Sequence, residues 1–252
     1  MVSTTMSRLP SHGSWLVFVV AVCCSLTRAQ HLADLTVPTP IPPGSTLVVG
    51  FLGGYERWND EHRSVRRLVL KLRARNGVFA ESISNHNQKV AINLIRRALD
   101  SNRDGRLDAA ERARARIILF GQSWGGAATI NVARELEQMS VPVLLTVQVD
   151  SVGLRDQIVP SNVHAAVNFY QHDPLTIEGR SEIRAADSTR TAILGNFEET
   201  YMRGSAHQTE SAASSNSSWA RSTFGGSHVR MELDPVIWAS VEQYIDDAIL
   251  RR

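Results

Sequence analysis

The chain has 252 residues, of which 43% are hydrophobic, 6% aromatic and 21% charged, with 16 glycines and 9 prolines. That composition suits one large globular domain or two small ones and excludes a wholly disordered, collagen-like or polytopic membrane protein. Lys plus Arg is 27 and Asp plus Glu is 25, and the resulting formal charge of +2 gives no electrostatic case for nucleic acid, which needs a concentrated basic face.

The first 29 residues read as a secretory signal. Arg8 lies in a short stretch without acidic residues, Trp15 to Cys24 is an unbroken apolar run, and Thr27-Arg28-Ala29 puts small residues at the two positions a signal peptidase reads. The run has ten residues against the roughly twenty needed to span a bilayer, so a retained anchor is the lesser alternative. Lipid attachment at Cys23 or Cys24 is weaker still, because neither Val22 nor Cys23 suits the position before a lipidated cysteine. Membrane association is therefore expected only if this segment is retained or lipidated. These are also the only two cysteines, and adjacent cysteines make neither a zinc framework nor a normal disulfide. Residues 30–252 are expected to form a single secreted or periplasmic domain, formally neutral and free of disulfides.

After a Pro-rich lead-in from Pro38 to Pro43, Ser45 to Phe51 is a short apolar run closed by Gly53-Gly54, which predicts a buried strand ending in a tight loop. Glu61 to Arg75 places Val65, Leu68, Val69 and Leu72 on one helical stripe. Val78 to Ile83 is the next strand and Asn87 to Leu99 the next helix, with Ala91, Leu94, Ile95 and Ala98 facing inward. Arg116 to Phe120 predicts a strand, Trp124 to Gln138 a helix, and Val141 to Val149 and Val163 to Tyr170 two more strands. The alternation implies a mostly parallel sheet covered by helices on both faces. Ser205 to Ser227 is poor in apolar residues and predicts a mobile loop. Asp234 to Leu250 closes the chain as an amphipathic helix.

Two motifs stand out. In Asp100-Ser101-Asn102-Arg103-Asp104-Gly105-Arg106-Leu107-Asp108-Ala109-Ala110-Glu111, oxygen-bearing side chains fall at the first, third, fifth and ninth positions, Gly at the sixth, an apolar residue at the eighth and Glu at the twelfth. Calcium takes about seven hard oxygens. Asp100, Asn102, Asp104, Asp108, the backbone carbonyl of Arg106 and a bidentate Glu111 supply that set, and Gly105 permits the sharp turn between the halves. The competing reading is a solvated acidic turn. Position for position, the segment resembles the EF-hand loop, although its outgoing helix is short and no second such loop exists to pair with it.

The second motif is Gly121-Gln122-Ser123-Trp124-Gly125, between the apolar strand Ile117-Ile118-Leu119-Phe120 and a helix. A serine at a sharp strand-to-helix turn needs small neighbours because the chain doubles back on itself. Gly126, Ala127 and Ala128 then let the helix lie close to the sheet. The competing reading is a plain Gly-rich connection.

With this turn, the Val48-Val49-Gly50-Phe51-Leu52-Gly53-Gly54 segment and the late His228, the chain resembles the α/β-hydrolase family from about Ser45 to its end, and more narrowly secreted bacterial hydrolases with an EF-hand loop before the nucleophile strand. The resemblance implies an α/β-hydrolase-like fold and a nucleophile, acid and histidine in that chain order. It departs from the family in lacking a His-Gly opening to the oxyanion loop. Ser123 is then the nucleophile, and His228 is the base because it follows all the predicted strands. His207 is the reserve base, in a polar stretch with no visible anchor. Asp150, at the end of the best-formed strand, is preferred as the acid. Asp173, at the commoner position in the family, is the alternative.

The oxyanion hole is expected from backbone N–H groups of Trp124 and of Phe51 or Leu52. Tyr55 and Trp58 are candidates to line a pocket, and the Ser-rich stretch before His228 a candidate lid. The resulting expectation is a secreted serine hydrolase of the esterase or lipase type, acting on a small-molecule or lipid ester, with one structural calcium and no organic cofactor. A catalytically inactive, calcium-dependent binding protein on the same fold is the alternative.

Overall fold

The computed structural model describes residues 30–173, 177–201 and 226–251. The proposed signal, His207 and most of the candidate lid lie outside the described residues. In chain order the elements are β1 (Thr46–Leu52), α1 (Ser64–Leu72), β2 (Val78–Ser84), α2 (Gln88–Leu99), α3 (Ala109–Ala113), β3 (Ile117–Gln122), α4 (Trp124–Gln138), β4 (Val143–Val149), β5 (Ile158–Val159), β6 (Val163–Gln171), β7 (Arg184–Ala185), β8 (Ala192–Glu199), α5 (Gly226–Leu233) and α6 (Pro235–Leu250). Six strands form one sheet in the order β2-β1-β3-β4-β6-β8, and every pairing in it is parallel. The fold is the parallel sheet with helices packed against it that the strand and helix alternation anticipated.

Parallel strands are buried on both faces, so their residues alternate between two apolar layers. On one side Leu47, Val49, Phe51, Ile117 and Leu119 pack with Leu94 and Ile95 of α2 and with Ile130 and Leu136 of α4. On the other, Val48, Leu52, Ile118 and Phe120 pack with Val65, Val69 and Leu72 of α1 and with Ile237, Val241 and Ile245 of α6. The two helix layers pin the sheet, and the pinned sheet fixes where each strand ends.

Several elements depart from the sequence reading. The helix expected from Glu61 to Arg75 is shortened to Ser64–Leu72, because only its apolar stripe has a layer to pack against. β5, β7, β8 and α5 are additions. His228 therefore sits inside a helix, within one turn of its start, rather than in a loop before the terminal helix.

The N-terminal segment lies along β2, the edge strand. The Gln30 side chain, 2% exposed, donates from Nε2 to the Ser82 carbonyl at 2.9 Å and accepts from the Ser84 amide at 3.4 Å. Glu81, fully buried, accepts from Thr36 Oγ1 and the Val37 amide and pairs with Arg73.

Among the described residues no helix is long and apolar enough to cross a membrane.

Candidate active site

β3 ends at Gln122 and α4 begins at Trp124, so the chain reverses within one residue, Ser123. That residue takes φ 55° and ψ −125°, a region a non-glycine residue occupies only under constraint, at a cost of about 1–3 kcal/mol. The constraint is steric. A Cβ on Gly125 would lie 2.0 Å from the Phe51 carbonyl oxygen, one on Gly121 2.3 Å from the Gly125 carbonyl oxygen, and one on Gly126 2.6 Å from Ser151 Oγ. The three glycines allow the start of α4 to sit on the ends of β1, β3 and β4. Ser123 is then presented at the carboxyl edge of the sheet, where ligands bind in open α/β sheets.

The structure brings Ser123, His228 and Asp150 together. His228 Nε2 lies 3.0 Å from Ser123 Oγ, and His228 Nδ1 lies 2.6 Å from Asp150 Oδ2. Exposure falls to 6% at Ser123, 5% at His228 and nil at Asp150. Asp150 directly follows β4 and has φ 44°, which turns its side chain back over the sheet edge. Its Oδ1 accepts the Gly179 amide at 2.8 Å, and its Oδ2 also accepts Gln171 Nε2 at 3.2 Å. These donors hold the carboxylate in place. Asp173 instead accepts Ser227 Oγ at 2.8 Å, so the alternative acid binds the neighbour of the base rather than the base.

The expected oxyanion donors stand at the end of β1 and the start of α4. Phe51 and Leu52 are the last two residues of β1, not loop residues. Leu47 N–H donates to the Arg116 carbonyl beside β3, and Thr46 N–H to the Gly77 carbonyl beside β2. Alternation along the strand then aims Phe51 N–H at β3 and Leu52 N–H at β2, where the ladder uses both. The chain leaves the strand at Gly53, where an added Cβ would lie 3.1 Å from Ser123 Cβ. Gly53 N–H donates to Glu56 Oε2 at 3.2 Å. Gly54 is the first residue beyond both the ladder and that bond. Trp124 opens α4, and the first amides of a helix have no partner within it.

Two groups that sequence reasoning missed secure this loop. Asn85 Nδ2 donates to the carbonyls of Leu52 at 2.9 Å and Gly54 at 2.6 Å. Glu56 pairs with Arg63 at 3.0 Å, and Arg63 reaches Glu232 of α5 at 3.4 Å, so a buried ion cluster joins the loop to the helix that carries His228. Burial, followed by the neighbouring Glu232 charge, pushes the Glu56 carboxyl up to about 8. Burial likewise raises Glu232. Neither glutamate lies at helical spacing from a lysine or arginine, so no local pattern announced the cluster.

The loop from Asp100 to Glu111 joins α2 to β3 at the opposite end of β3 from Ser123. Gly105 has φ 81°. Asp100 accepts the amides of Asp104 and Gly105, Asn102 accepts that of Asp104, and Asp104 accepts that of Arg106. This all-oxygen set on a tight turn suits calcium chemically. Glu111 is turned onto protein donors: Oε1 accepts the amides of Ser101 and Asn102 and the Ser101 hydroxyl, and Oε2 accepts the Asp108 amide. Among the described residues no three acidic or histidine side chains converge as a cage.

Of the remaining histidines, His62 is exposed beside Asp60 and His86 stacks on Tyr55. Trp58 lies under the Arg66 guanidinium and packs against the α1 layer rather than lining the site with Tyr55.

No family model and no curated protein matches the chain. Among solved structures it is similar to a thioesterase from the prodiginine biosynthetic pathway of Streptomyces coelicolor, with a TM-score of 0.39 and 9% identity over 84% of this chain and 90% of that one.

Proposed function

We propose that the protein is a secreted serine hydrolase that cleaves a carboxylic ester through Ser123, His228 and Asp150. The observation that carries this reading is the continuous line of hydrogen-bonding distances from Asp150 through His228 to a serine held at φ 55°. A serine hydroxyl is a weak nucleophile unless a neighbouring base takes its proton. His228 Nε2 is the base within reach, and Asp150 holds Nδ1–H so that Nε2 presents its lone pair.

Ser123 Oγ attacks the carbonyl carbon as its proton passes to His228 Nε2. The oxygen that becomes negative is stabilised by the backbone N–H groups of Trp124 and Gly54, in place of Phe51 and Leu52. His228 then returns the proton to the departing alkoxide, leaving an acyl group on Ser123. Water, deprotonated by the same histidine, releases the acid.

Calcium, where bound, is structural in this reading. Asp100, Asn102, Asp104, Asp108, Glu111 and the Arg106 carbonyl would hold it, supplying charge that ties α2 to β3. The roughly 20 Å that a six-residue strand spans separates the loop from Ser123 and keeps the ion out of the reaction.

Fluorophosphonate labelling of the chain from residue 30, in native and Ser123→Ala forms, tests the proposal. Labelling of the native chain that vanishes in the variant is expected. A folded native chain that resists labelling would overturn it in favour of a calcium-dependent binding protein.

A further inference from the structure

Three rings meet at the residue that follows the nucleophile. Trp124 follows Ser123 directly, and its ring lies 5.5 Å from that of Tyr55 at 79°. Tyr55 in turn stacks on His86 at 5.1 Å and 29°, and His86 meets Trp124 edge-on at 6.0 Å. Tyr55 comes two residues after Gly53, which packs against Ser123, and the Asn85 side chain clamps the backbone on either side of Gly53. Because Asn85 precedes His86, the same clamp fixes both halves of the Tyr55–His86 stack. The rings are therefore held on the loop that shapes the oxyanion site.

Tyr55 is 71% exposed, so it adds little to the core. The more exposed Leu154 and Leu250, and Val236, are aliphatic, while Phe197 packs on Phe169 and Tyr244. An exposed Tyr55 and His86 against a half-buried Trp124, next in the chain to Ser123, mark a binding surface rather than a packing remainder. Ring faces are electron-rich and edges electron-poor, so a flat aromatic guest gains from offset or edge contacts that a saturated ring of the same size cannot make.

We propose that Tyr55, His86 and Trp124 form a substrate subsite for a planar aromatic group, and that the preferred ester carries such a group on one side of the scissile bond. This rests on the serine hydrolase reading and narrows it to aryl-bearing esters.

The test compares two ester pairs that differ only in aromaticity: benzyl acetate against cyclohexylmethyl acetate, and ethyl phenylacetate against ethyl cyclohexylacetate. Hydrolysis is followed by acid release, with fluorophosphonate labelling run alongside. The expected result is a kcat/KM preference of about tenfold for the aromatic member of at least one pair, the scale of one good aromatic contact. Tyr55→Phe should keep that ratio and Tyr55→Ala should bring it close to unity. Ratios near one in both pairs, or a preference that survives Tyr55→Ala, would overturn the subsite while labelling at Ser123 left the hydrolase reading intact. Failure to label would remove both. Because Tyr55 is so exposed, its replacement should leave folding unchanged, and circular dichroism with thermal unfolding of the variant checks this.

Discussion

β3 carries a glycine-dependent turn at each end, and the two are built by opposite means. At the Ser123 end, the glycines are small because neighbouring atoms occupy the space: every Cβ added at Gly121, Gly125 or Gly126 would fall within 2.6 Å of another residue's atoms. At the Asp100–Glu111 end, an added Cβ on Gly105 meets nothing within 4 Å, and glycine is needed only for its φ of 81°. The first turn is shaped by packing, the second by its own polar hydrogen bonds. One presents a side chain at fixed distance from its partners, whereas the other offers oxygens that can exchange one set of partners for another.

The contrast can be broken at either end. Ser123→Ala should cost the most, on the order of 10⁶ in kcat if the triad acts as a unit, with thermal stability little changed, since alanine keeps the Cβ that the positive φ penalises. Asp150→Asn should lower kcat by about 10⁴, whereas Asp173→Asn should stay within about tenfold; steady-state kinetics on a common ester checks both, and the reverse order would assign the acid to Asp173. Gly125→Ala forces Cβ against the Phe51 carbonyl and should destabilise by about 3 kcal/mol or more. Gly105→Ala pays only the left-handed backbone cost of about 1–2 kcal/mol; denaturant unfolding of the two variants separates steric from conformational glycines. Calcium should raise Tm by a few degrees and leave kcat unchanged below the transition, an increment that Glu111→Gln should shrink.

The smallest effect concerns Glu56. The folded chain holds its proton up to about pH 8, against an ordinary value of 4.5, so between those values the folded state binds more protons than the unfolded one. Its contribution to stability is full below about 4.5 and is lost as the pH rises through 8. Glu56→Gln should flatten that decline in pH-dependent unfolding curves.

The sequence was most legible where one local pattern carries the signal. The stripes of α2 and α4 and the apolar runs of β1 and β3 are such patterns, and the serine turn announces itself by its glycines. β8 was hidden because an edge strand with half-exposed positions and Glu198 and Glu199 at its end shows neither clean alternation nor an apolar run. The acid stayed open because Asp150 and Asp173 both end strands. Only their spatial partners, His228 for Asp150 and Ser227 for Asp173, distinguish them. Which amides near Ser123 are left over for an oxyanion was not legible either, since which amides a strand consumes depends on the register with its neighbours.

Gln30 bears on the molecule's behaviour in a crowd. Ser82 carbonyl and Ser84 amide belong to the row that β2 turns away from β1, the row an incoming strand would use. A carboxamide side chain has the same donor and acceptor as a peptide group, and here it occupies both positions. The first described residue thus acts as a one-unit counterfeit of a neighbouring strand, denying that stretch of the sheet's rim to another chain.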